Sequence, residues 1–300
     1  MTREPDHLPR GLWWVLAGLT LAWGFNWTAL KVALSEVPPW TFRSLCLGFG
    51  SAVLFLALRA GGQRLVLPRG QWTRLWLLAI LNITSWNMLV AFGVALIPSG
   101  RAAILAYTMP VLAVPLSVWL LRERITGAKL AGLALGLTGL ALLLAESFAQ
   151  LGAAPLGSLL VLGAALSWAL GTVLQKRFPV NLPAGLYTAW IMLLGGVPIF
   201  IGALVLEDVR DLGRIGLLPA LGTAYNVFVA FAFAHWAWIK IATSVPVSVF
   251  SISMLLIPVV GVVSGMLFLG ERPTWAEYAA LASVVLALLT VLRPSRAARG

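Results

Sequence analysis

The stretch that decides the fold is LAWGFNWTALK, residues 21–31, because a similar stretch, LSWALGTVLQK, returns at residues 166–176. The two stretches align Trp23 with Trp168 and Lys31 with Lys176. A second set of matches, at nearly the same separation, joins Pro98 to Pro246, Pro110 to Pro258, Glu123 to Glu271 and Arg124 to Arg272. The sequence therefore predicts that the chain consists of two related halves.

The composition around these stretches is that of a membrane protein. Hydrophobic residues make up 60% of the chain and charged residues only 10%, with a mean hydropathy of +0.95. Soluble domains have about 25% charged and about 45–50% apolar residues. A soluble globular domain is therefore excluded, and the chain is expected to lie in a lipid bilayer.

The number of stretches without a charged residue predicts the number of membrane spans, because a spanning helix needs about 20 mostly apolar residues. Ten such stretches occur, at residues 11–30, 44–58, 75–100, 102–121, 130–145, 147–175, 178–206, 215–239, 241–270 and 278–292. Their continuous apolar character excludes a barrel, whose strands alternate. The predicted fold is an all-α integral membrane protein with ten transmembrane helices.

The two halves should be inverted copies of each other. Each half holds five helices, an odd number, so equivalent positions begin on opposite sides of the membrane. We expect a first repeat at residues 11–145, a second, inverted repeat at residues 146–292, and short cytoplasmic tails at residues 1–10 and 293–300. Inverted repeats of this kind are typical of carriers that work by alternating access, with the substrate near the midplane.

The net charge of +11 has its explanation in topology. With the N-terminus inside, most of the 21 Lys and Arg residues fall on inner connections, while Arg43 and Arg101 are among those counted on the outer side. Because cytoplasmic connections are enriched in Lys and Arg, both termini are expected in the cytoplasm of a bacterial inner membrane. Binding to nucleic acid is not needed to explain this charge.

With a Trp early in the first and sixth spans, a Pro in the fourth and ninth, and a Glu-Arg pair after each, the chain resembles the drug/metabolite transporter superfamily. It is most similar to the EamA-type amino-acid exporters of the YddG-like branch. That resemblance implies ten helices, cytoplasmic termini and a central cavity lined by the first, third, fourth, sixth, eighth and ninth helices. Other branches carry nucleotide sugars, triose phosphates or small cations, so the cargo stays open. Met109 stands where other members have Trp, which widens the substrate range.

Polar and aromatic residues inside apolar spans are the default candidates for a binding site, because they are costly in contact with lipid. The candidate substrate-binding residues are Trp23, Asn26, Trp27, Trp86, Asn87, Tyr107, Trp168, Thr172, His235, Trp236 and Ser251, with Pro110 and Pro258 as helix breaks. Three of them, Trp23, Asn26 and Trp27, share one helix face.

Each of these residues also has a structural interpretation. Tryptophan also packs between helices, asparagine also joins helices by hydrogen bonds, and His235 either couples transport to protons or is simply hydrogen-bonded. The small residues Gly132, Gly136 and Gly139 fit packing within the monomer or a dimer surface.

Catalytic motifs are missing from the sequence. One Cys and two His residues, without an HExxH or P-loop pattern, argue against an enzyme, a cofactor or a metal. Channels use selectivity filters made of carbonyl rings or charged rings, and the sequence shows no signature of either kind. The predicted function is export of amino acids or similar small metabolites, with another cargo of the superfamily, such as a drug or a nucleotide sugar, as the alternative. The expected partners are that small molecule and the lipid bilayer, and the chain is expected to be a monomer or a weak homodimer.

Overall fold

The structure is a computed structural model that describes residues 10–67, 70–123, 125–149, 154–208, 213–242 and 247–291. For residues 10, 128–129, 239–240, 242, 247–255 and 291 only the backbone is described.

The described residues form thirteen α-helices and two π-helical segments, without a strand. The helices are α1 (Arg10–Ala33), α2 (Pro39–Ala60), α3 (Trp72–Ala79), α4 (Trp86–Leu96), α5 (Ser99–Ala106), α6 (Met109–Leu121), α7 (Gly127–Ala149), α8 (Ala154–Arg177), α9 (Ala184–Leu206), α10 (Leu217–Ala224), α11 (Ala234–Ala242), α12 (Val247–Leu269) and α13 (Trp275–Val291). The first π segment is Ile80–Ser85 and the second is Tyr225–Phe233. The prediction of an all-α protein is confirmed.

Seven helical stretches within the described residues are long and apolar enough to cross a membrane. They are Pro39–Ala60, Trp72–Leu96, Ser99–Leu121, Leu130–Ala149, Ala154–Arg177, Ala184–Leu206 and Leu217–Trp238, followed by the shorter apolar helices Leu256–Leu269 and Trp275–Thr290. The chain is therefore a multi-pass membrane protein.

Three of the predicted spans depart from a simple α-helix. The third and eighth each contain a π segment, and the fourth is interrupted at Tyr107 and Thr108, directly before α6. Pro110 lies in the first turn of α6. Backbone N–H groups in the first turn have no acceptor within the helix, so a proline there breaks no hydrogen bond. Pro258, in contrast, lies inside the uninterrupted α12. The fourth span is thus interrupted beside Pro110, while α12 is continuous through Pro258.

Many of the contacts between helices involve α1 and α8. Helix α1 packs on α12, and α8 packs on α5 and α6. Helix α1 also contacts the second π segment with α10 and α11, while α8 contacts the first π segment with α4. The remaining large contacts join α2 to α9 and α7 to α13. Gly136 lies against Val111 and Gly139 against Ala280, so these glycines serve packing within the chain.

Acidic side chains at the bundle ends occupy the free N–H groups of helix N-termini. The Glu207 carboxylate accepts from the amides of Trp40 and Thr41 at 2.9 and 2.7 Å, and Glu36 accepts from Gly216. Thr274 and Glu277 form a reciprocal capping box at the start of α13.

Glu271, which follows α12, likewise caps the N-terminus of another helix, α5. Its carboxylate accepts from the amides of Ser99 at 2.6 Å and Gly100 at 3.0 Å. Glu271 therefore fastens the end of α12 to the N-terminus of α5, whose amides attract negative charge.

Arg43 and Arg101 were counted among the outer charges that separate the predicted spans, but both residues lie within helices. Arg43 lies in α2 and Arg101 in α5, and each is only 3% exposed. Arg101 is compensated, since its Nε donates to Glu277 at 2.6 Å and one terminal nitrogen donates to Glu146 at 2.9 Å. A charge that ends an apolar window is therefore not always a charge in a connection.

Candidate functional site

The first of two aromatic clusters lies where α1 meets the second π segment and α11. We call it the Trp23 cluster, and it comprises Trp23, Phe231, His235 and Trp238. The Trp23 indole is 5.8 Å from the His235 ring and 5.3 Å from Trp238, and His235 stacks on Phe231 at 5.3 Å. Two hydrogen bonds hold the rings of this cluster in place. One runs from Trp23 Nε1 to the Ala230 carbonyl, and the other joins His235 Nδ1 and the Phe231 carbonyl.

The second cluster, the Trp168 cluster, lies where α8 meets the first π segment and α4. Trp86 and Trp168 have their ring centroids 4.9 Å apart. Asn82 Nδ2 donates to the Trp168 carbonyl, and Ser167 donates to the Leu81 carbonyl at 2.8 Å. A side chain on Gly171 would collide with Asn82, since its Cβ would lie 1.8 Å from Oδ1. Glycine at this position therefore lets the π segment approach α8.

The remaining predicted residues divide by their surroundings, with Asn26 and Tyr107 in the protein interior. Asn26 is half-buried, and its Oδ1 is buried without a hydrogen-bond partner in the described part of the chain. Tyr107 is buried at the break between α5 and α6. Trp27 is buried against Gly261 of α12.

Three further candidates are satisfied locally or face outward. Asn87 Nδ2 donates to the Ile83 carbonyl one turn earlier, and Thr172 donates to the Trp168 carbonyl. Trp236 is 42% exposed and packs on Phe233. The side chain of Ser251 lies outside the described residues.

Lysine and glutamate residues of the repeat lie at the two ends of the bundle. Lys31 Nζ donates to the carbonyls of Val94 and Ile97, at the C-terminus of α4, at 2.6 and 2.7 Å. Its counterpart Lys176 is exposed and lies 3.9 Å from Glu123. Lys31 and Glu271 together hold the corner between α4 and α5.

Arg43 is the site residue that the sequence interpretation missed. Its guanidinium carbon lies 5.2 Å from the Phe42 ring and 5.9 Å from the Phe231 ring, so it borders the Trp23 cluster. Its Nε is buried without an acceptor. The available signal was the Pro38-Pro39 pair, which starts α2 and places Arg43 inside the helix.

Metal chemistry has no visible basis in the described part of the chain. No three His, Cys, Asp or Glu side chains there are grouped closely enough to hold a metal ion. The two clusters and Arg43 present aromatic faces, amide groups and one buried guanidinium.

Comparison with known proteins defines the class. The sequence profile of the EamA-like transporter family matches residues 9–145 and, a second time, residues 155–293. The chain therefore belongs to the EamA-like transporter family, a membrane transporter family, and its resemblance to the drug/metabolite transporter superfamily is confirmed.

Individual relatives agree with this class. Two are named probable amino-acid metabolite efflux pump: the Escherichia coli (strain K12) protein is 28% identical, with 87% of each chain covered, and the Salmonella typhimurium protein is 27% identical, with 87% of this chain and 88% of the relative covered. The uncharacterized transporter YoaV of Bacillus subtilis is 26% identical over 86% of this chain and 89% of its own. One crystal structure, 21% identical, has a TM-score of 0.65 over 94% of this chain and 96% of its own, which shows a shared fold.

Proposed function

We propose that the chain is a secondary transporter that exports amino acids or similar small metabolites across the bacterial inner membrane by alternating access. In this proposal ten transmembrane helices form two inverted repeats, residues 11–145 and 146–292, with both termini in the cytoplasm. The substrate binds between the repeats, against the Trp23 and Trp168 clusters.

The paired helix contacts support the inverted repeat. If the first helix of each half is equivalent, α1 corresponds to α8, and the contact of α1 with α12 corresponds to that of α8 with α5 and α6. Both α1 and α8 also lie against a π segment of the opposite half. The two family matches in one chain are in keeping with this division.

The observation that carries the functional proposal is the equivalence of the two aromatic clusters. Trp23 and Trp168 are partners in the internal repeat, and each contacts aromatic side chains beside a π segment. π segments are frequent at functional sites. In the proposal, a solute bound between the repeats contacts an aromatic cluster from each, where carriers of this type hold their substrates. The efflux pump names of two relatives point to amino-acid metabolites as cargo.

Transport by purified protein in proteoliposomes tests the proposal. We expect efflux of one or more radiolabelled amino acids that saturates with substrate and is accelerated by substrate on the opposite side. Flux of drugs or nucleotide sugars without any amino-acid transport would refute the amino-acid cargo. An ohmic ion current without saturation would refute the carrier mechanism.

Removing the tryptophans of the two clusters should reduce transport. We expect Trp23→Ala, Trp86→Ala and Trp168→Ala each to lower efflux about tenfold, because a lost aromatic contact of about 1.4 kcal/mol changes affinity by that factor. The matched control is Trp14→Ala in α1, whose side chain is 79% exposed. Efflux at the wild-type rate in all three folded variants would contradict an aromatic binding site.

Labelling of single cysteines tests the inverted topology. Cys46 is the one cysteine of the chain and is buried, so Cys46→Ser provides the background. We expect Arg122→Cys and Arg272→Cys, both at exposed positions, to react with a membrane-impermeant maleimide from opposite sides of the membrane. Reaction of both from the same side would rule out the inverted repeat.

A further inference from the structure

Arg43 is a buried cation whose side chain extends toward the middle of α2. It lies one turn into α2, yet its guanidinium contacts Phe231, which packs against Gly50 near the middle of that helix. Long cationic side chains near a helix end normally extend toward the aqueous surface. The orientation of Arg43 brings its charge to the interior, where an unpaired charge is unfavourable.

No protein group described in the structure neutralises this charge. Among the described residues, no carboxylate forms an ion pair with Arg43, and its Nε is buried without an acceptor. The Glu207 carboxylate, which lies at the start of α2, uses both oxygens on the amides of Trp40 and Thr41. Two phenyl rings are the remaining favourable contacts of the guanidinium. Buried arginine inside membrane helices marks a pathway or a ligand site by default.

The position of Arg43 connects it with the Trp23 cluster. Phe231 is shared, because one contact joins it to the guanidinium and the other joins it to His235, which contacts Trp23. A ligand bound here would meet a cation at one end and aromatic faces at the other. The planar guanidinium fork matches a carboxylate, which it binds through two parallel hydrogen bonds.

We propose that Arg43 binds the carboxylate of the transported solute, so that the cargo is a molecule with a free carboxylate. This inference rests on the proposed function and narrows it. Acids are selected over the corresponding amides, because an amide offers no negative charge to a desolvated guanidinium. The structural alternative is that Arg43 only holds α2 against the second π segment through Phe231.

Binding measurements separate these possibilities. The probes are L-phenylalanine and L-alanine, each compared with its own amide, and the readout is the ligand-induced shift of the thermal unfolding midpoint of purified protein. We expect the acids, but not the amides, to stabilise wild-type protein. Arg43→Gln should weaken acid binding about tenfold or more and remove the preference for acid over amide, while Arg43→Lys keeps part of that preference. A purely structural role changes the midpoint without ligand but not the ratio of acid to amide binding.

Transport of the same probes in proteoliposomes distinguishes failure of this inference from failure of the proposed function. Amino-acid transport by folded Arg43→Gln with an unchanged preference for acid over amide would overturn the role of Arg43 and leave the transporter proposal intact. If Arg43→Gln does not fold, equal binding of acid and amide by wild-type protein would overturn the role instead. Arg43-dependent acid binding without any amino-acid flux would support the carboxylate site and refute the transport proposal.

Discussion

Replacing Arg101 by methionine is expected to lower the free energy of unfolding by about 3–5 kcal/mol, the cost of removing one partner from a buried ion pair. Arg101 is 3% exposed and Glu277 5% exposed, and their contact is 2.6 Å long. The substitution leaves the carboxylates of Glu277 and Glu146 without their shared cation. The thermal unfolding midpoint of detergent-solubilised protein measures the effect.

The control for Arg101→Met is Lys176→Met, because the Lys176 side chain is 66% exposed and its contact with Glu123 is 3.9 Å long. An exposed pair of this kind contributes little. Adding Glu277→Gln and Glu146→Gln to Arg101→Met should restore part of the loss, since no unpaired charge then remains buried. Equal midpoints for Arg101→Met and Lys176→Met would show that the buried cluster does not stabilise the bundle.

Valine in place of Gly222 is expected to cost about 3 kcal/mol, at the upper end of the range for overpacking. A Cβ at this position would lie 2.7 Å from the carbonyl oxygen of Ala29 and 3.1 Å from the amide nitrogen of Ala33. Both obstacles belong to the backbone of α1, so they cannot turn aside as a side chain does. Helix α10 must move away from α1. Because α10 continues into the second π segment and α11, which form the Trp23 cluster with α1, this cluster should loosen as well.

The matched control for Gly222→Val is Gly48→Val in α2, where nothing lies within 4 Å of an added Cβ. Both substitutions replace glycine by the same residue within a helix, so the difference in unfolding midpoint reports the contact alone. Tryptophan fluorescence should shift in Gly222→Val but stay unchanged in Gly48→Val. A midpoint for Gly222→Val as high as that of Gly48→Val would contradict the close approach of α10 and α1.

Apolar length and charge-free windows predicted the helical class because a bilayer leaves few ways to satisfy the backbone. The same windows predicted the ends of the helices less well. They ended at Arg43 and Arg101, but both residues lie inside helices. Carboxylates from other helices compensate Arg101, and the Phe231 ring of the second π segment borders Arg43. Those partners come from distant parts of the chain, so no local pattern could show them.

The candidate site was predictable where it depended on the repeat and unpredictable where it depended on helix geometry. The match of Trp23 with Trp168 singled out both aromatic clusters from the sequence. The π segments, in contrast, carry no obvious signature, and they decide which side chains meet. Thus Phe231, which joins Arg43 to His235, was not among the predicted residues although it is central to one cluster.

The two π segments also have a consequence for how such chains diverge. An α-helix turns by about 100° with each residue, so gaining or losing a single residue within Ile80–Ser85 or Tyr225–Phe233 rotates everything beyond it by that angle. In the first segment the rotated part begins at Trp86. One-residue insertions or deletions at these two places therefore re-aim a whole wall of side chains without altering any of them, and an alignment of distant family members that forbids gaps there would pair the wrong faces.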